Sequence, residues 1–330
     1  MEEKTLMITS SPHIRGRDSV RSIMLWVIIA LCPSLIAGVW LFGFKALLVV
    51  AVSVAACVFF EWGYRRLTHK SSSIGDLSAV VTGMLLGMSL GVSVPLWLPV
   101  LGAFFAIVIV KQLYGGIGKN FLNPALAGRC FLFSWAVLMT TWVAPRSYTD
   151  FFSLKTVDAV TAATPLAAMK GMAIPENYSL MDCFLGMKAG AIGEVSAAAL
   201  ILGAIILLAV GVINLRIPLT YILTVAVLTF LFPRGNDRLL WMAYQLLSGG
   251  LMMGAMFMAN DYTTSPATPK GDLIYGIGCG ALTVLIRYFG SYAEGVSFAI
   301  LIMNLLVWLI DKWTRPQRFG VPADKKEAQK

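Results

Sequence analysis

The chain has 330 residues, of which 58% are hydrophobic and 13% charged, with a mean hydropathy of +0.78. A water-facing domain carries about 25% charged residues, so this chain lacks the polar surface of a soluble globule, and the disordered, collagen-like and disulfide-framework classes are excluded with it. The net charge of +9 would suggest nucleic acid in a soluble protein, but here most Lys and Arg flank apolar runs, as they do where a bilayer sets topology, and no nucleic-acid partner is expected.

A hydrocarbon core takes about 20 apolar residues per helix. By that measure candidate spans run over 22–40, 44–62, 77–93, 95–113, 121–144, 195–214, 217–233, 239–259, 273–289 and 295–311. The expectation is an all-α polytopic membrane protein of about ten transmembrane helices. The first run is long enough to span and shows no small-residue cleavage site, so no cleaved signal is expected. Gly83, Gly87, Gly91 and Pro95 interrupt the third, which reads as a broken or re-entrant helix.

Basic residues orient the chain. Lys4, Arg15, Arg17 and Arg21, then Arg65, Arg66 and Lys70, then Lys111, Lys119 and Arg129, and finally the tail from Lys312 to Lys330 fall on one side if both termini are cytoplasmic. The long segment 145–194, with a net charge of −1, is then the external loop. Four parts follow: 1–144, a cytoplasmic arm and a first five-helix half; 145–194, the loop; 195–311, a second five-helix half; and 312–330, a basic cytoplasmic tail. A shift of 167 residues lays Thr82–Met88 over Gly249–Ala255 and Gly128–Phe131 over Gly295–Phe298. An odd helix number per half makes such a repeat inverted, with Gly-interrupted helices near a central site; glycines that merely allow close packing are the simpler alternative.

Five scattered cysteines (Cys32, Cys57, Cys130, Cys183, Cys279) and two histidines (His13, His69) show no metal-ligand spacing, so no protein-held metal is expected. The loop contains Asp158-Ala159-Val160-Thr161-Ala162-Ala163-Thr164-Pro165. Pro165 biases Thr164 toward extended backbone, and the small neighbours leave its hydroxyl unshielded and able to accept a phosphoryl group; the residues alone are better read as an ordinary Ala/Thr loop. Arg146 and Lys155 share the loop and are candidate partners for an anion there, or plain solvated cations. Arg129 sits early in a span beside Asn123 and Pro124, so it either snorkels or faces a site. Asn260-Asp261-Tyr262-Thr263-Thr264-Ser265-Pro266 closes the eighth span as a turn or as a polar cavity wall. Glu61, Asp76 and Glu294 lie near span ends, where they either relay ions or, as is usual for interfacial carboxylates, are simply hydrated; Trp62, Trp97, Trp142 and Trp313 read as interfacial anchors.

The stretch from Asp158 to Thr164 resembles the flavinylation motif D-x-x-(S/T)-(G/A)-A-T of the ion-translocating Rnf and Nqr redox complexes. Gly115-Gly116-Ile117-Gly118-Lys119-Asn120 with Asn123-Pro124-Ala125 resembles a cytoplasmic turn of the same RnfD/NqrB family, and Ser10-Ser11-Pro12-His13-Ile14 resembles the start of its D-type members. The resemblance spans essentially the whole chain. It implies covalent FMN esterified through its phosphate to Thr164, with Asp158, Thr161, Ala162 and Ala163 read by a flavin transferase on the external face. It further implies a noncovalent riboflavin deeper in the membrane, and Asn120, Asn123, Arg129, Asp261, Thr263 and Thr264 are candidates for a cofactor or ion-path environment. The implied setting is the bacterial cytoplasmic membrane, in complex with the A, B, C, E and flavinylated G subunits of Rnf, moving electrons between ferredoxin and NAD coupled to Na+ or H+ translocation. The shorter amino-terminal arm favours the Rnf type over the quinone-reducing Nqr type. A solute transporter or channel with inverted repeats is the alternative from another class.

Overall fold

The computed structural model describes residues 19–146, 151–152, 162–172, 175 and 178–316. Among the described residues every regular element is helical: α1 (Val20–Phe42), α2 (Phe44–Leu67), α3 (Ser78–Met88), α4 (Trp97–Gln112), α5 (Pro124–Met139), α6 (Pro165–Lys170), α7 (Leu180–Leu185), α8 (Ala197–Val210), α9 (Arg216–Leu231), α10 (Arg238–Leu247), α11 (Leu251–Met258), α12 (Pro269–Phe289) and α13 (Val296–Thr314).

Local chemistry sets the boundaries. Ser19 and Ser22 cap α1 reciprocally, each side chain accepting the other's backbone N–H at 3.1 and 3.0 Å. Asn123 caps α5 by accepting the Ala125 and Leu126 N–H groups at 3.0 and 3.2 Å, and Pro124 occupies the first helical position, where no N–H is needed. Thr268 and Pro269 repeat that arrangement at α12, with the Gly271 N–H 3.0 Å from the threonine hydroxyl.

Each of the ten predicted segments carries a helix, but they are not equal. α1, α2, α12 and α13 are individually long and apolar enough to cross a membrane, and α10 with α11 makes a fifth candidate bent by 62°. α3, α4, α5, α8 and α9 are shorter apolar helices. The 11 residues of α3 rise roughly 16 Å, about half the hydrocarbon thickness. Irregular chain continues from its end, with Ser89, Leu90, Val92 and Val94 all at most 4% exposed. Backbone polar groups at that depth need protein partners. They find them in a second buried irregular stretch before α8: the Gly193 N–H donates to the Met88 carbonyl (2.7 Å) and the Ile192 N–H to that of Leu90 (3.0 Å).

The surface is inverted relative to a soluble protein. Ile36, Phe59, Leu219, Leu305 and Trp308 are exposed, whereas Glu61, Lys111, Arg129, Lys188, Glu194 and Arg287 are at most 6% exposed. Close helix contacts are made at glycines. A Cβ on Gly83 would lie 2.6 Å from the Val54 Cα, and one on Gly87 2.9 Å from the Val50 Cα, so α3 lies directly on α2. Gly203 of α8 sits on the Ala30 carbonyl of α1. The segments aligned by the 167-residue shift differ locally: the break between α10 and α11 falls over residues 81–83, where α3 is continuous.

Introducing a leucine at Gly203 forces α8 off α1 and is expected to cost about 1–3 kcal/mol. The thermal midpoint in detergent should drop clearly, while Gly63→Leu, at a site with nothing within 4 Å of the added Cβ, leaves it unchanged.

Candidate functional site

Polar groups gather at two places. At the end of the bundle that carries the 145–194 segment, a cleft of about 80 Å³ is bordered by Arg129, Phe133, Trp142, Thr164, Lys188, Glu194 and Glu294. The chain around Thr164 is pinned at each step. The Ala162 N–H donates to the Trp142 carbonyl (3.1 Å), the Tyr178 hydroxyl donates to the Ala163 carbonyl (3.3 Å), and Leu166 and Met169 bury the short α6. Thr164 is half-buried, and its Oγ1 accepts the Ala167 N–H at 3.2 Å, a bond that leaves the hydroxyl hydrogen uncommitted by it. Asp158 and Thr161 lie outside the described residues.

Behind Thr164 lies a buried charge cluster. One guanidinium nitrogen of Arg129 is 2.6 Å from Glu194 Oε1 and the other 2.6 Å from Glu294 Oε2. Glu294 in turn accepts the Gly250 N–H at the α10–α11 break. Lys188 donates to the Leu247 carbonyl. Arg287 of α12 donates to the Gln245 carbonyl (2.6 Å), the Gln245 side chain (3.0 Å) and the Ser248 carbonyl (3.1 Å), which holds the bend in place. Three cations thus face two carboxylates, an excess of one positive charge, and the Nε atoms of Arg129 and Arg287 and the Ser248 hydroxyl are buried without a partner. The balance of charge in the cluster is positive, and its cations already bond carboxylates and carbonyls of the chain.

Arg129 therefore corrects the topology reading: it belongs with the charges of the long-segment end rather than with the basic loops. Arg146 stands away from the cleft, its guanidinium 5.9 Å from the Trp40 ring, and Lys155 lies outside the described residues. The cations that border the cleft are Arg129 and Lys188. On α7, hydrogen bonds from the Ser179 N–H and side chain hold the Asp182 carboxyl below its usual range, and burial pushes the Cys183 thiol up.

The second site lies at the opposite, basic end, where a cavity of about 380 Å³ opens between α1, α3, the 117–125 turn, the end of α8 and the end of α11. Ile23, Met24, Val27, Leu85 and Phe257 give it apolar walls; Ser78, Lys111, Asn120, Asn123, Asp261 and Thr263 give it a polar side. The two polar runs picked out separately in the sequence meet here. Asn120 Nδ2 donates to Thr263 Oγ1 (3.0 Å), Asn123 Nδ2 donates to the Met258 carbonyl (3.1 Å), and the hydroxyls of Thr263 and Thr264 donate to Asp261 Oδ2 at 3.1 and 3.2 Å. Asn304 of α13 ties them together once its amide is turned to suit its neighbours, with the nitrogen 3.1 Å from the Thr264 carbonyl and the oxygen 3.1 Å from the Asn123 N–H.

Glu61 and Lys111 also depart from expectation. Instead of a hydrated carboxylate and a loop cation, they form a buried pair at 2.7 Å, 0% and 3% exposed. Lys188, Arg287, Ser248 and Asn304 carried no motif. The only signal was a lysine and a glutamate, Lys188 and Glu194, bracketing the small apolar run Ala189–Gly193. Among the described residues no group of three His, Cys, Asp or Glu is placed to hold a metal ion.

The chain matches the model of the NQR2, RnfD, RnfE family over residues 7–320. It is 44% identical, over the full length of both chains, to the D subunit of the Na(+)-translocating ferredoxin:NAD(+) oxidoreductase complex of Acetobacterium woodii. It is 40% identical to the D subunit of the proton-translocating ferredoxin:NAD(+) oxidoreductase complex of Clostridium ljungdahlii, covering 97% of this chain and 98% of that one. Identity to the D subunit of the ion-translocating oxidoreductase complex of Vibrio cholerae is 38%, with 95% and 99% covered.

Arg129→Gln strands two carboxylates in the interior, and losing one side of a buried ion pair costs about 3–5 kcal/mol. Thermal unfolding in detergent should show a large loss of stability, part of it recovered when Glu194→Gln alone is added, which restores the excess of one positive charge, and none when both carboxylates are removed, which leaves Lys188 and Arg287 without a counter-charge.

Proposed function

The chain belongs to the NQR2, RnfD, RnfE family, and on that footing we propose that it is a flavin-carrying membrane subunit of an ion-translocating ferredoxin:NAD oxidoreductase complex, with FMN esterified to Thr164 and a noncovalent riboflavin in the basic-end cavity. The relatives' names favour a redox complex over a free-standing solute transporter, and they name sodium in one case and protons in another. The partners in this reading are the A, B, C, E and G subunits of Rnf, with G passing electrons to the Thr164 flavin. A transferase acts on the same face. The multi-pass chain sits in the bacterial cytoplasmic membrane with both termini inside, in ten crossings arranged as two inverted five-helix halves.

The observation that carries the reading is Thr164 on a cleft backed by buried cations. A phosphodiester is an anion, and Arg129 and Lys188 border that cleft within a cluster of net positive charge. At about 80 Å³ the cleft suits a phosphate rather than a three-ring system. The larger cavity, about 380 Å³, is in the range of small-molecule sites, roughly 300–1,000 Å³. Its apolar walls and one-sided polar rim match a ring that is hydrocarbon at one end and amide-like at the other.

A bound flavin supplies one- and two-electron transfer that no side chain here can perform. The chain's own contributions are position and charge. The Ala162 and Ala163 backbone bonds hold Thr164 Oγ1 at the cleft, and Arg129 and Lys188 would neutralise a linking phosphate there. In the cavity Asn120, Asn123, Asp261 and Thr263 present donors and acceptors, while Met24, Val27 and Phe257 would keep water from a ring system held there.

In-gel ultraviolet fluorescence of the denatured chain, co-expressed with the transferase, should show a band that Thr164→Val abolishes; a dark wild-type band with active transferase contradicts the assignment. Val81→Trp, which fills the basic-end cavity, should remove the flavin released by denaturation while leaving the fluorescent band in place.

A further inference from the structure

A hydrogen-bonded chain links the basic-end surface to the cavity. Ser73, half-exposed in the loop between α2 and α3, donates its hydroxyl to Glu61 Oε1. Glu61 Oε2 accepts from Lys111 Nζ at 2.7 Å, and the same nitrogen donates to Ser78 Oγ at 2.6 Å. Ser78 is fixed in turn by Asp76, whose Oδ1 accepts both its hydroxyl (2.5 Å) and its N–H (2.8 Å). Lys111 and Ser78 line the cavity; Glu61 is fully buried. An ammonium has three N–H bonds. Glu61 and Ser78 take two, and the third remains for whatever occupies the cavity.

Such a pair is weak evidence of a stabilising role. Two buried charges recover their desolvation cost only with good geometry and often do no better than apolar residues of the same volume. A carboxylate and an ammonium joined in series between a surface hydroxyl and a cavity wall do have a use: proton movement. The last turns of α4 are π-helical over Phe105–Gln112, a distortion that recurs at functional sites, and they carry Lys111. The other titratable groups facing Lys111 are Cys57, one turn before Glu61 on α2, Asp76 behind Ser78, and Asp261 across the cavity.

We propose that Ser73, Glu61 and Lys111 form a proton-uptake path from the basic end into the cavity, with Lys111 as the group that delivers the proton to the occupant. The proposal rests on the flavin reading above and deepens it. When a one-electron carrier of a partner subunit sends negative charge into the cavity, a Lys111 Nζ–H bond breaks and its proton neutralises that charge. The Glu61 carboxylate takes the Ser73 hydroxyl proton as the serine draws one from water, and passes it to the Lys111 nitrogen. One proton leaves water for each electron charge neutralised, and all three residues return to their starting states. Asp76 and Ser78 hold the ammonium in register during the cycle.

The test uses the assembled complex in weak buffer, reduced by a stopped-flow pulse of chemical reductant, with proton uptake read by a soluble pH dye and flavin protonation by its visible spectrum. Ser73→Val, which strands no charge, is expected to slow uptake at least tenfold with flavin content unchanged. Lys111→Met with Glu61→Gln, which removes both charges together, should slow it further, and added methylammonium, small enough to enter the cavity, should restore part of the rate. A rescue by amine is not expected of a purely structural pair. Wild-type uptake rates in both variants overturn the path and leave the flavin reading standing. Absence of releasable flavin from the wild-type complex overturns that reading and the path with it.

Discussion

A guanidinium buried at 2% exposure between two carboxylates is the constraint from which the rest of this structure follows. Unpaired, Arg129 would be prohibitive in a low-dielectric interior. Paired, it requires three distant stretches of chain to converge: α5, the irregular segment before α8, and the turn before α13. Glu294 then reaches the Gly250 N–H and fixes the α10–α11 bend, and Arg287 satisfies the carbonyls that the bend exposes. The cleft at Thr164 is what this convergence leaves open, and its positive balance is a property of the cluster itself.

The same logic also works through backbone. A helix that stops halfway, as α3 does, leaves polar groups that only protein can satisfy. Chain 186–196 supplies them at the inner tip of α3, while caps and side-chain amides do so around the Asn123 and Asp261 turns. Short helices enclose less volume than full spans, and the cavity occupies the difference. The chain therefore has an anion-suited cleft at one end and a ring-sized, partly polar cavity at the other, with a helical bundle between them. That separation is what an electron carrier coupled to charge movement across a bilayer requires.

Much of this was legible in the sequence. Each of the ten apolar runs carries a helix, although only four, or five with the bent α10–α11 pair, are long enough to span. The third stops before Gly91 and Pro95, whereas Gly83 and Gly87 lie inside α3 and serve its close packing on α2. The motif pointed to Thr164, and Asn120, Asn123, Asp261 and Thr263 prove to share one cavity wall. What escaped was long-range pairing. Arg129 meets Glu194 and Glu294 across 65 and 165 residues, and Lys111 meets Glu61 across 50. Charge counting treats each basic residue as belonging to its nearest loop, so it assigned Arg129 and Lys111 to the wrong environment. The loop beside Thr164 misled in the same way: Arg146 was near in sequence, while Lys188, silent by motif, is near in space.

The most direct measurement is a flavin inventory of the purified complex, made with transferase present, in which the denatured polypeptide is separated from small molecules and this chain's Thr164 peptide is weighed by mass spectrometry. The account predicts one flavin in the released fraction bound to this chain and the mass of an FMN phosphoester on the Thr164 peptide. An unmodified peptide from an active, transferase-matured complex would contradict it.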